Sequence, residues 1–281
     1  MQHYEFGWKN PAGKELYAQG WLPDKGTPKA IILLIHGMGE HSSRYAHVAE
    51  FLTKQGYAIL ANDRVGHGKS KGQRGHVANY DQLLDDIIKL HSEATRKFPG
   101  IPVFLYGHSM GGGIVLNYVI RNPKNGLKGV IATSPALQLA FEPPAFKITL
   151  GKLMRRIYPA FSQTNEINPE HISRDKAVVE AYKKDPLVHN KISAETGMGL
   201  LQWGKEIIAN ADKITSVPLL LLHGTGDKLT SYKGTEAFAA NAINCEYSIN
   251  TYDGYFHELH NEPEKKEVLD DILEWLNAKI S

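Results

Sequence analysis

Short, continuous apolar runs recur at residues 30–35, 57–61, 103–106, 129–132 and 217–222, and the stretches between them change to the three-to-four-residue spacing of helices. Runs of this length without polar interruption predict strands buried on both faces, with a further strand at 246–250. The helical spacing predicts helices over 44–55, 80–97, 111–121, 233–242 and 263–279. Strands alternating with helices define an α/β class, a mostly parallel central sheet with helices on both sides. The N-terminus departs from this pattern. Residues 4–8 and 16–22 flank the turn Asn10-Pro11-Ala12-Gly13 and predict an antiparallel hairpin at one edge of the sheet.

The alternation stops after Ser134-Pro135 and resumes only beyond Trp203. No strand-like run falls in between, and the stretch is too long for a plain loop. It predicts a helical cap, residues 136–203, inserted into a single domain spanning residues 1–281. Inside it Phe146, Leu150, Leu153, Met154 and Ile157 share one helical face, and Lys147, Lys152, Arg155 and Arg156 lie mostly on the other. Packing onto the core is the expected fate of that stripe; its alternative is to cover an apolar channel and touch a lipid surface.

Composition narrows the classes. With 281 residues, 42% hydrophobic and 22% charged, the chain can bury one substantial core. Lys and Arg number 32 against 30 acidic residues, so the balance of +2 carries no signal for a nucleic-acid partner. The single cysteine, Cys245, excludes an intramolecular disulfide and a multi-cysteine zinc site. The apolar runs fall far short of the ~20 residues a membrane span needs, and Met1-Gln2-His3-Tyr4-Glu5 reads as no secretory signal. A cytoplasmic location is expected, with the cap as the one candidate for peripheral membrane contact.

The candidate chemistry begins at Gly107-His108-Ser109-Met110-Gly111, directly after a strand and before a helix. A G-x-S-x-G sequence in that context sets a serine on a sharp, crowded turn where it can act as a nucleophile. Serine needs an imidazole to take its proton and a carboxylate to orient that imidazole. Asp227, beyond the strand at 217–222, and His257, beyond the strand at 246–250, follow in the order serine, acid, histidine. Asp253 is the rival acid. The oxyanion formed on attack needs backbone N–H donors: Met110, after the serine, and Met38 in the His36-Gly37-Met38-Gly39 loop after the first central strand.

Three other patterns fail. Gly68-Lys69-Ser70 lacks the glycine that a phosphate loop needs where Asp63 stands, and His257-Glu258-Leu259-His260 is one residue short of the zinc-protease spacing. His36, His41 and His47 match no zinc spacing. Neither a metal nor a cofactor is expected, and no protein partner is implied.

With these residues in place, the chain resembles the monoacylglycerol lipases of the α/β-hydrolase fold, also labelled lysophospholipases. The resemblance runs through His36-Gly37-Met38-Gly39-Glu40-His41-Ser42, Arg44-Tyr45, Asp63 with Gly66-His67-Gly68-Lys69-Ser70, Gly107 to Gly112, Tyr182 with Asp185-Pro186-Leu187, Gly224 to Asp227, and His257-Glu258-Leu259-His260. It implies a serine hydrolase that cleaves monoacylglycerol to glycerol and fatty acid through an acyl-enzyme on Ser109. It also implies a polar pocket for the glycerol head at Glu40, Arg44 and His260, with Tyr182 as a further lining residue. A diol needs both donors and acceptors, which these side chains supply; an ion pair between Glu40 and Arg44 that steadies the loop is the other reading.

Two departures stand out: Pro143-Pro144 and the four basic residues in the first part of the cap, and Met38 where some members carry alanine. Rival readings keep the triad for lysophospholipids, simple carboxylesters or acyl transfer, or make the chain a catalytically silent binding protein of this fold.

Overall fold

The computed structural model describes residues 1–280. Its strands are β1 (Gln2–Lys9), β2 (Glu15–Leu22), β3 (Ile31–Ile35), β4 (Ala58–Asn62), β5 (Val103–His108), β6 (Gly129–Thr133), β7 (Ser162–Thr164), β8 (Lys191–Ser193), β9 (Leu219–Gly224) and β10 (Tyr247–Tyr252). Its helices are α1 (Ala46–Lys54), α2 (Tyr80–Lys97), α3 (Met110–Arg121), α4 (Ala145–Ile157), α5 (Lys176–Lys184), α6 (Ala194–Ala209), α7 (Tyr232–Asn241) and α8 (Lys265–Ile280).

Eight strands form one sheet in the order β1-β2-β4-β3-β5-β6-β9-β10. β1 and β2 pair antiparallel, as the hairpin pattern predicts, and β2 joins β4 antiparallel; from β4 onward every pairing is parallel. The period of two along each strand divides the core. In β3, Ile31, Leu33 and Ile35 face a core shared with α2, α3, α6 and α7, and Ile32 and Leu34 face a second one shared with α1 and α8. Both faces are closed, which is why these strands read as unbroken apolar runs. Truncating one such buried leucine to alanine costs about 2–5 kcal/mol.

Parallel pairing has a consequence for function: the loops after β3, β5, β6, β9 and β10 all emerge at one end of the sheet. Ser109, Asp227, His257 and the 36–39 loop lie on four of them.

The segment between β6 and β9 differs from its prediction in three respects. It contains a small antiparallel pair, β7 with β8, where no strand is expected; Ser-Gln-Thr and Lys-Ile-Ser hold one apolar residue between them, too few to form a run. Helix α6 runs through the predicted cap boundary at 203, because Trp203 and Ile207 belong to the main core and Trp203 meets the Tyr80 ring edge-on at 4.4 Å. The α4 stripe is turned to solvent. Phe146 is 68% exposed, Leu153 53% and Ile157 69%, against the expectation of core packing. Helix α4 instead seats Gly151 against Met198 of α6, a contact with room for little more than a backbone. Among the described residues, no helix is long and apolar enough to cross a membrane.

Candidate active site

β5 ends at His108 and α3 starts at Met110, so Ser109 alone makes the turn, with φ 55° and ψ −120°. A non-glycine residue in that region is strained. The neighbours have no room for side chains: a Cβ on Gly107 would stand 2.3 Å from the Gly111 carbonyl oxygen, and one on Gly111 2.1 Å from the Ile35 carbonyl oxygen. The two glycines of the motif are therefore required by close approach of the backbone, and the serine is presented at the mouth of a cavity.

His257 lines that cavity with Ser109, Met38 and Met110. Its Nδ1 lies 2.7 Å from Asp227 Oδ2, leaving Nε2 as the nitrogen able to take the serine proton. Asp227 is itself held. Its Oδ1 accepts from the N–H groups of Leu229 and Thr230 at 2.7 and 3.0 Å, and its Oδ2 accepts from Thr230 Oγ1 at 2.8 Å with His223 Nε2 at 3.3 Å. Burial alone would raise the carboxyl's pKa, but the His257 imidazole and the bonds from His223 and His257 outweigh it and hold the group far below the usual carboxylate range. The converse holds at His257, where burial opposes the imidazolium and the Asp227 charge more than restores it, so its pKa lies above that of an ordinary histidine. Asp253, the rival acid, is exposed and accepts from Thr225 Oγ1 at 2.9 Å; Asp227 is the carboxylate at the imidazole.

The cavity, about 140 Å³, is walled by apolar side chains of the cap and core, among them Leu139, Ile148, Met198, Leu201 and Leu229. A second, smaller recess opens on the same Ser109 and His257 and is mixed in character: Glu40, His108, Tyr182 and Glu258 share its lining with Met38, Ile167, Ile172 and Leu229. An apolar cavity and a recess much richer in polar groups thus meet at the serine.

Of the residues expected around a glycerol head, Glu40 and Tyr182 line the recess and two do not. Arg44 lies behind it. Its guanidinium donates from Nη1 to Glu40 Oε2 (2.7 Å) and Glu258 Oε1 (2.6 Å) and from Nη2 to Glu258 Oε2 (2.7 Å), under the Tyr182 ring at 4.8 Å. Its donors are directed to two carboxylates, so it acts on the recess through them. His260 lies away from both cavities, against the expectation that it lines the head-group pocket. Its ring is fully buried, stacked on Tyr45 at 4.6 Å and edge-on to His108 at 4.9 Å, and among the described residues neither nitrogen has a hydrogen-bond partner. Burial first, then the neighbouring histidines and Arg44, hold it neutral. It packs behind the recess and lines neither cavity.

Sequence reasoning passed over Glu258 and Thr230. Glu258 stands in the sequence within the rejected zinc spacing and within the motif of the resemblance, with no role attached to it, and its partner Arg44 lies 214 positions away. The signal for Thr230 was its place three residues after Asp227, where a hydroxyl can cap the carboxylate's loop. His36, His41 and His47 each have a partner of their own: His36 the Gly37 carbonyl, His41 Asp185 at 2.9 Å, and His47 the His260 carbonyl at 2.8 Å.

A family model described as serine aminopeptidase, S33, matches residues 26–264. The chain is 38% identical to an uncharacterized abhydrolase domain-containing protein of Dictyostelium discoideum, over 92% of this chain and 27% of that longer protein. It is 32% identical to the monoacylglycerol lipase of Mycolicibacterium smegmatis, with 98% of both chains covered. The crystal structure of Paleococcus ferrophilus monoacylglycerol lipase is 33% identical, with a TM-score of 0.84 over 99% of this chain and 100% of the other.

Proposed function

The chain belongs to the monoacylglycerol lipase family of α/β-hydrolases, and from that premise we propose that it hydrolyses monoacylglycerols to glycerol and a free fatty acid, with Ser109, His257 and Asp227 as its triad. The observation that carries the reading is that an apolar cavity and a smaller recess bearing carboxylates and a phenol meet at Ser109. An ester with a long hydrocarbon tail and a small polar head fits that division, with its carbonyl at the serine.

Ser109 Oγ attacks the ester carbonyl as His257 Nε2 takes its proton, and the oxyanion is met by the N–H groups of Met38 and Met110. Met110 opens α3, so its N–H also lies at the positive end of a twelve-residue helix. Collapse of the tetrahedral intermediate expels glycerol, which carries off the proton from His257. Water then repeats the sequence on the acyl-enzyme and releases the acid.

The lining of the smaller recess favours a neutral head over a phosphorylated one. Glu40 and Glu258 present carboxylate charge to the recess, and the guanidinium they share lies behind it. A lysophospholipid would bring its phosphate against that charge, a repulsion that selects against it. Glu40 also accepts from the Gly37 N–H at 2.5 Å and Tyr45 OH at 2.8 Å, so alanine there would disturb the 36–39 loop as well as the recess. Glu40→Gln keeps an acceptor for the loop. It lowers kcat/KM for monoacylglycerol by about 10- to 100-fold and that for a short p-nitrophenyl ester by less than about threefold. Equal losses on both substrates in parallel assays would reduce Glu40 to a support of the loop.

The exposed stripe of α4 supports peripheral contact with a lipid surface. Phe146, Leu153 and Ile157 project from the cap that roofs the acyl cavity, and Lys152 and Arg156 flank them, exposed. Replacing the three apolar residues with serine weakens co-sedimentation with phospholipid vesicles and slows hydrolysis of dispersed monoacylglycerol several-fold, with hydrolysis of a water-soluble ester unchanged. Vesicle binding equal to that of the parent chain would remove the cap from this role.

A further inference from the structure

The peptide joining Gly37 to Met38 carries the Gly37 carbonyl and the Met38 N–H on opposite edges of one plane. Whatever holds the carbonyl therefore aims the N–H. Two side chains hold it from behind. Arg64 Nη2 donates to the Gly37 oxygen at 2.5 Å, and His36 Nδ1 lies 2.8 Å from the same oxygen. The backbone N–H of Arg64 donates to His36 Nε2 at 3.1 Å, so that nitrogen is bare. Burial, reinforced by the Arg64 charge, holds His36 neutral, and its one proton then sits on Nδ1 and points at Gly37. The carbonyl receives two donors, one for each lone pair.

Arg64 is an expensive residue to use for this. It is 2% exposed, and among the described residues its Nε and Nη1 have no hydrogen-bond partner and no carboxylate lies within ion-pair distance. Burial pulls its pKa down to about 10, with the more distant charges of Glu40 and Asp86 opposing; it remains a cation at neutral pH. A buried, unpaired cation costs several kcal/mol in general and is retained where it has a task. Here its charge stands directly behind the loop that receives a developing oxyanion, and its geometry is fixed by one carbonyl.

We propose that Arg64 is a positioning residue of the oxyanion hole: with His36 it locks the Gly37 carbonyl, so that the Met38 N–H is set toward the reacting oxygen before substrate arrives. The inference rests on the assignment of Met38 as an oxyanion donor. It distinguishes Arg64 from a residue that merely fills the core, because a preset donor stabilises the tetrahedral state more than the bound ester.

The test compares Arg64→Met and Arg64→Lys with the parent chain on a soluble p-nitrophenyl ester, an alkyl boronic acid that forms a tetrahedral adduct on serine, and a non-hydrolysable ether analogue of the ester. The expected result is a kcat lower by about 10- to 100-fold in the methionine variant, a boronate affinity lower in proportion, and KM and ether affinity within about threefold. Arg64→Lys, which keeps a charge and a donor, falls between. If the methionine variant does not fold, the lysine variant alone decides, by the same proportionality between kcat and boronate affinity. Boronate and ether affinities that fall together, or a kcat unchanged, overturn the proposal. A parent chain that binds no boronate overturns the hydrolase assignment itself, whereas tight binding by parent and variants alike overturns only the role of Arg64.

Discussion

Ser109→Ala lowers ester turnover by about 10⁴- to 10⁶-fold and abolishes labelling by a fluorophosphonate, with the fold intact. The size follows from what one oxygen does. Without it no acyl-enzyme forms, and the remaining rate comes from water attacking an ester held between oxyanion donors. Stability should barely change. The backbone keeps its turn, the constraints at Gly107 and Gly111 are untouched, and alanine occupies no more space than serine at φ 55°. Labelling separates this chain from a silent binding protein of the same fold: a parent chain that resists the probe, or a variant that still reacts, would remove Ser109 as the nucleophile.

Asp227→Asn lowers kcat by about 10⁴-fold and moves the acid limb of the pH profile. The asparagine Oδ1 can still accept from the N–H groups of Leu229 and Thr230, so the loop after β9 survives. The amide offers His257 Nδ1 a donor where a carboxylate acceptor stood, which favours the wrong tautomer, and it removes the charge that stabilises the imidazolium. The sign of the pH effect follows. His257 must be neutral to accept a proton, and in the parent chain its pKa is raised despite burial, chiefly by Asp227. Activity therefore falls as pH drops through a value above the ordinary imidazole range. With asparagine the opposing effect of burial prevails, and the limb shifts to lower pH as the plateau collapses. A profile with its acid limb unmoved would mean that Asp227 does not set the charge on His257.

The parts of the molecule legible in its sequence are those where a single rule dominates. Strands closed on both faces must be continuous apolar runs, so β3 to β6 and β9 are visible without partners. The elbow is visible because glycine alone tolerates the approach of Gly111 to Ile35. The order of serine, acid and histidine is legible because all three sit on loops at one end of a parallel sheet.

What escaped depends on which surfaces meet. The period of α4 defines an apolar face but not whether anything covers it, and the face of Phe146, Leu153 and Ile157 is bare. The spacing of Arg44 and Glu40 suggests an ion pair, yet the stronger bidentate partner is Glu258, brought in by the fold from the other end of the chain. His260 stands three residues from His257, on a one-turn 3₁₀ helix after it, and that turn directs its ring inward against Tyr45 rather than into the recess. Arg64 gives no local signal at all, since its task is defined by a carbonyl on another loop.

On the proposed reading, the recess beside Ser109 selects a neutral glycerol head for attack. The most direct test of that selection is hydrolysis of monooleoylglycerol, oleoyl lysophosphatidylcholine and p-nitrophenyl butyrate by the purified chain, with fatty acid and head group quantified together. The expected result is equimolar glycerol and oleate, with kcat/KM for the monoacylglycerol at least about tenfold above that for the lysophospholipid. Equal rates on the two lipids, or a preference for the phosphorylated head, would contradict it.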